Sequence, residues 1–321
     1  GQNCPKMNLK KMKHIRKIAA VCCVLLLLWG NTIVSKAEDT EISESMVLDE
    51  GIAWNVFTDS NVESVDFEIN GKSETVTSWN ESNDKRCFEF RGTGPKMLTD
   101  ELTVTAHLSG NKTRVHRTSA VKYLLGLQGK SDKLDALIDA LLAYGTAVQI
   151  YENYHTERLA SGMNISGTEG VLGKIEFSGT SIKNIDYGYT DPYVKWTGAS
   201  VILGDKVSVV LGAKIISEGD SFDGKYLNMY INGTYIGVNH RTDTSSTESN
   251  FIFGIPVTQY SSEIKVNFTD SDGNAISPTL TYSVESYVTR VYGKTADPNL
   301  KNLLSAFADY CSKAKLCAES V

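Results

Sequence analysis

Hydrophobic and polar residues alternate with period two through most of the chain, and helical spacing interrupts that alternation twice. The first set of alternating runs covers Ile52 to Phe57, Val65 to Ile69, Glu74 to Trp79, Cys87 to Phe90 and Leu102 to His107. The second covers Val207 to Ile215, Leu227 to Ile231, Tyr235 to His240, Phe251 to Phe253 and Ile264 to Phe268. Each reads as a half-buried strand, because successive side chains of a strand point to opposite faces. Asn70-Gly71 and Asn232-Gly233 fall between runs as tight hairpin turns, whose two central residues must accept positive φ. Gly110-Asn111 and Asp272-Gly273 mark further turns at matching places.

Helical spacing follows each set. Ser119 and Ser283 are placed to cap first helices, and Ser131 and Asp297 to start second ones. Pro298 stands at a first helical position, where a missing N–H costs no hydrogen bond. The stripe Leu134, Leu137, Ile138, Leu141, Tyr144, Gly145 and Val148 follows the i, i+3, i+4, i+7 rule of an amphipathic helix.

The two sets are copies of one pattern. Ser119 to Tyr123 matches Ser283 to Tyr287, and Leu134, Leu137, Ile138, Leu141 and Tyr144 match Leu300, Leu303, Leu304, Phe307 and Tyr310. Ile69 to Gly71 matches Ile231 to Gly233, and Phe88 to Phe90 matches Phe251 to Phe253. Leu102 to Val104 matches Ile264 to Val266, and Ser45 to Leu48 matches Ser200 to Leu203. Cys311 stands where the first copy has Gly145. The expected class is therefore α+β, with two tandem modules, each a small antiparallel β-sheet or sandwich followed by a helical hairpin. The expected boundaries are 38–155 and 196–321, with a connecting segment and lead-in strand over 156–195; Val171 to Phe177 reads as a further strand there.

Residues 1–37 read as a signal peptide and residues upstream of it. Met7 opens a basic stretch from Lys10 to Lys17, an apolar run follows from Ile18 to Trp29, and a polar tail ends in Ser35-Lys36-Ala37. Cleavage is expected before Glu38. The run of about 12 residues falls short of the ~20 that cross a bilayer, so no membrane span is expected after removal. Cys22 follows Val21 within the apolar run, the wrong setting for a lipid-accepting cysteine. Positions 1–37 hold Lys6, Lys10, Lys11, Lys13, Arg16, Lys17 and Lys36 and no acidic residue, so their loss takes the formal charge from −6 to −13. Such a balance excludes an electrostatic grip on nucleic acid. Secretion, with extracellular or loose cell-surface residence, is the expected destination.

Beyond that segment the cysteines are Cys87, Cys311 and Cys317. Cys311 and Cys317 lie about 9 Å apart along a helix, beyond disulfide reach. They read as buried small hydrophobes.

The repeated elements resemble a module of secreted and cell-surface proteins of gut Clostridia, chiefly Lachnospiraceae and Ruminococcaceae. The residues that carry the resemblance are Ser45 to Phe57, Lys96-Met-Leu-Thr-Asp100 with Leu102, Tyr282-Ser-Val-Glu-Ser-Tyr287, Lys133 to Gly145, and the lead-in Trp196-Thr-Gly-Ala-Ser-Val. The resemblance implies extracytoplasmic display and brings no catalytic residues with it.

The search for chemistry excludes most motifs. H-E-x-x-H, G-x-S-x-G, P-loop and dinucleotide patterns are absent. His107, His116, His155 and His240 occupy non-equivalent places in the two copies. Asp270-Ser-Asp272-Gly273 lacks the acid at Phe268 and the Glu at Thr279 that a calcium loop requires. Lys112, Arg114 and His116 form a small basic strand face, read as local solvation. No metal or cofactor is expected.

One segment reads as surface chemistry. Tyr187, Tyr189, Tyr193 and Trp196 lie among Gly, Asp and Pro, where aromatic rings can stack on sugars or grip a protein. The alternative is that Tyr193 and Trp196 are strand residues facing the core. The leading expectation is a non-enzymatic binding or adhesion protein that recognises a glycan or a host or microbial surface protein, immunoglobulin among the candidates. A structural or accessory subunit of an extracellular assembly is the alternative, and an extracellular hydrolase the third reading.

Overall fold

The computed structural model describes residues 41–162, 184–186, 193–218, 220–236, 240–241 and 246–319. Its first sheet holds β1 (Ser43–Leu48), β2 (Ile52–Thr58), β6 (Lys85–Thr93) and β5 (Asn80–Ser82), in that spatial order. The second holds β4 (Lys72–Val76), β3 (Val62–Ile69), β7 (Leu102–Leu108) and β8 (Lys112–Thr118). The third holds β10 (Val194–Leu203), β11 (Val207–Ile215) and β15 (Glu248–Gly254). The fourth runs β13 (Thr234–Tyr235), β12 (Tyr226–Ile231), β16 (Ile264–Thr269), β17 (Thr279–Tyr282) and β9 (Asn184–Asp186), with β14 (His240–Arg241) also on β12. All pairings are antiparallel.

Local chemistry explains the hairpins. Asn70 and Gly71 take φ of 50° and 72°, and Asn232 and Gly233 take 48° and 78°, the double positive φ of a tight hairpin turn. Burial alternates along the flanking strands. Trp54, Val56, Phe88 and Phe90 of the first sheet are buried, as are Val65, Phe67, Val104 and Ala106 of the second. Phe67 stacks on Phe90 at 4.8 Å between ring centroids, so these two sheets face each other. Across the third and fourth sheets Phe251 meets Phe268 edge-on at 5.2 Å. Each large apolar side chain so buried contributes about 1.5–3 kcal/mol.

The helices are α1 (Ala120–Leu125), α2 (Asp132–Tyr151), α3 (Val284–Lys294) and α4 (Pro298–Ala318). Ser119, Ser131, Ser283 and Asp297 cap them, accepting from the backbone N–H of Lys122, Leu134, Ser286 and Asn299 at 3.2, 3.3, 3.0 and 2.9 Å. Tyr144 of α2 stacks on Tyr310 of α4 and also meets Phe307 at 5.3 Å.

This arrangement corrects the α+β expectation of two modules, each a sheet closed by its own helical hairpin. Strand predominates over helix, and the described residues form four small antiparallel sheets with few helices. The physical reason lies in the apolar stripe of α2. A stripe states only that a face is buried, not against what, and here the long helices α2 and α4 turn theirs toward each other. The buried residues make one continuous cluster from Met46 to Ala314. The backbone joins it too: Gly51 bridges Lys206, and the Val207 and Val257 N–H groups donate to the Glu50 and Asp49 carbonyls at 2.7 and 3.1 Å. Among the described residues no helix is long and apolar enough to cross a membrane.

Candidate functional site

Of the four aromatic residues singled out in the sequence, Tyr187 and Tyr189 lie outside the described residues. Tyr193 is half-buried beside β10, with the Lys225 ammonium 5.0 Å from its ring centroid. Trp196 is on the inward face of β10. Its indole N–H donates to the Pro278 carbonyl at 2.8 Å, and its ring meets Phe268 at 5.3 Å. A ring so enclosed fixes the strand and offers little area to a ligand.

A different aromatic residue is presented to solvent. The run expected as a strand through Trp79 ends earlier, at Val76, and Trp79 sits in the link from β4 to β5 with 39% of its surface exposed. The Arg86 guanidinium stacks on the indole, 4.1 Å from its centroid, a favourable cation–π distance. Arg86 is itself held by donating to the Val62 carbonyl. Phe88 meets the indole at 5.9 Å from the core side. Thr77, Ser78, Asn80 and Glu81 around it are exposed. The ring is thus fixed by Arg86 and Phe88 within a polar rim. One signal was available in the sequence: Trp79 stands in the polar run Thr77-Ser-Trp-Asn-Glu-Ser-Asn-Asp84, without an apolar neighbour two positions away to share a face.

Three histidines pair with carboxylates. His107 Nε2 lies 2.7 Å from Asp66, and His116 Nε2 lies 3.1 Å from Glu44, which also accepts from the Thr118 hydroxyl at 2.9 Å. His155 Nδ1 lies 3.2 Å from Glu157, and its Nε2 lies 3.7 Å from Asp100. The Thr75 hydroxyl bound to Asp66, more than His107, holds that carboxyl below its usual value.

Asp100 is the most enclosed of these groups, its side chain 3% exposed. It accepts from Arg158 at 3.0 Å and from the Tyr154 hydroxyl, which in turn accepts from the Asn70 amide at 2.9 Å. Burial, then the bond to Asp100, pushes the Tyr154 phenol well above its ordinary range. Buried Gln149 donates to Thr99 at 3.1 Å and accepts from the Ala160 N–H at 2.9 Å, and the Ser161 N–H donates to Thr146 at 2.8 Å. These bonds tether the chain after α2 to the second sheet and to α2 itself. Their donors and acceptors satisfy one another, which makes the cluster a brace.

Asp270 takes the N–H groups of Asp272 and Asn274, each at 2.9 Å, as a turn does. Among the described residues no group of three or more His, Cys, Asp or Glu is placed to hold a metal ion. At the meeting of Glu50, Tyr144, Asp205, Lys206 and Tyr310 lies a crevice of about 20 Å³, the room of one water molecule. No family model matches the chain, and no curated protein matches it.

Proposed function

We propose that this is a secreted or surface-displayed, non-enzymatic binding or adhesion protein that recognises a protein or a glycan. The observation that carries the reading is Trp79, a partly exposed indole packed against Arg86 and Phe88 of β6 within a polar rim. Trp and Arg are the residues on which binding energy concentrates, and a ring already held in place loses little freedom when a partner arrives. Stacking suits a sugar face and a peptide alike, so the ring supports recognition without selecting the partner. Tyr187, Tyr189 and Tyr193 are proposed as a second contact surface, with Trp196 anchoring the strand behind them. Secretion rests on the basic and apolar pattern before Glu38; the secreted protein is expected to begin at or near that residue when sequenced from its N-terminus.

A glycan array and a pull-down with the secreted protein test the reading. Trp79→Ala is expected to weaken the partner so found about thirtyfold, the size of a ~2 kcal/mol interface residue, with little change in melting temperature. Unchanged affinity in Trp79→Ala and in Tyr187→Ala with Tyr189→Ala moves the contact surface elsewhere, and the lack of any partner in both screens overturns the reading.

A further inference from the structure

Strand β8 closes the second sheet, and β17 takes the corresponding step in the fourth: β4-β3-β7-β8 beside β13-β12-β16-β17. The pairings agree over the three that β17 makes: Thr118, Arg117 and His116 face Leu102, Thr103 and Val104 on β7 as Tyr282, Thr281 and Leu280 face Ile264, Lys265 and Val266 on β16. The two sheets differ at the next step. On β17 lies β9, whose Asn184, Ile185 and Asp186 pair with Thr281, Leu280 and Thr279. On the same side of β8 no strand follows among the described residues. Resting on the reading of a binding protein, and making its partner a protein, we infer that β8 is a strand-addition site for an extended acidic segment of a partner protein, seated as β9 is seated on β17.

Three properties of β8 support this. It pairs with β7 over its whole length, Lys112 opposite Leu108 to Thr118 opposite Leu102, without a bulge, so its outer edge is regular enough to template another strand. The alternate backbone N–H and C=O groups of such an edge point away from the sheet. Its side chains select the charge of the occupant: Lys112, Arg114 and Arg117 are exposed on a protein whose net charge is negative. Arg114 and Arg117 are each already engaged, Arg117 lying 3.5 Å from Glu101, and His116 is held by Glu44. Cations on an edge repel a second copy of the same edge, which guards against self-pairing, and attract a strand with acidic residues at alternate positions. Lys112 and Arg114 share one face of the strand, and Val115, 55% exposed, lies on the opposite face with Arg117, where it gives the intervening residues an apolar contact.

The test uses the secreted protein with a capped peptide of alternating Glu and Val, about eight residues long, and the matching Lys-Val peptide. The Glu-Val peptide is expected to slow amide hydrogen exchange along Lys112 to Thr118, to bind less well as salt rises, and to outbind the Lys-Val peptide. Lys112→Glu with Arg114→Glu is expected to weaken it about tenfold or more, and Lys112→Gln with Arg114→Gln by less, with the melting temperature held. Protection at another edge, equal binding of both peptides, or a concentration-dependent dimer that the Glu variant abolishes would overturn the proposal. A natural partner that binds the Glu variant with unchanged affinity overturns it too, while leaving the binding reading intact; that reading fails on its own screens.

Discussion

Tyr144 and Tyr310 stack 5.7 Å apart with their rings 11° from parallel, and they are the residues that the sequence repeat matches to each other. Each is almost wholly buried. Tyr310→Ala is expected to cost about 3–5 kcal/mol in urea unfolding, as large aromatic truncations in cores do. With Tyr144→Ala in a double-mutant cycle, a coupling of about 0.5–1.5 kcal/mol is expected. Additive losses would mean that the rings are neighbours without interacting.

Gly145 and Cys311 occupy matched positions but are not interchangeable. A Cβ at Gly145 would stand 2.4 Å from Leu98 Cδ1 and 2.9 Å from the Pro95 carbonyl, whereas the Cys311 side chain is accommodated and buried. Alanine gains about 1 kcal/mol over glycine in helix propensity, and overpacking costs about 1–3. The carbonyl belongs to the backbone and gives little, so the clash wins. Gly145→Ala is expected to lower stability in thermal unfolding despite the better helix former.

Asp49 gives a pH signature. Burial raises its carboxyl above the ordinary 3.8, and Arg91, whose guanidinium lies 3.9 Å away, opposes the rise. A carboxyl raised in the folded state favours folding when protonated. That contribution is full below the unfolded value and is lost as pH climbs through the folded one. Asp49→Asn is therefore expected to gain stability over the parent at neutral pH and to lose the advantage below about pH 4. NMR titration of Arg91→Ala should show the Asp49 carboxyl rising further, and a fall would reverse the assignment.

The thiols give a chemical count. Cys87, Cys311 and Cys317 form no disulfide among the described residues, and burial, then Glu89, pushes the Cys87 thiol up to about 11. At pH 8 roughly one part in a thousand of Cys87 is thiolate, so its native reaction with a disulfide reagent is expected to be slow. Denaturant should release three thiols from protein beginning at Glu38, and a smaller count would reveal a disulfide.

The features legible from residue pattern alone are local. Asn-Gly turns follow from tolerance of positive φ, helix starts from Ser and Asp side chains that accept backbone N–H groups, and strands from alternation; each involves residues a few positions apart. Partners were decided by the tertiary structure. The α2 stripe reads the same whether it covers a sheet or another helix, and only packing sets Tyr144 on Tyr310. Asp100 reads as one acid among many until Tyr154 and Arg158 return to it from more than fifty residues away. Trp79 and Trp196 look alike as aromatic residues near turns. Trp196 is buried and hydrogen-bonded to Pro278, whereas Trp79 keeps 39% of its surface exposed beside Arg86, because burial depends on distant chain that no local pattern encodes.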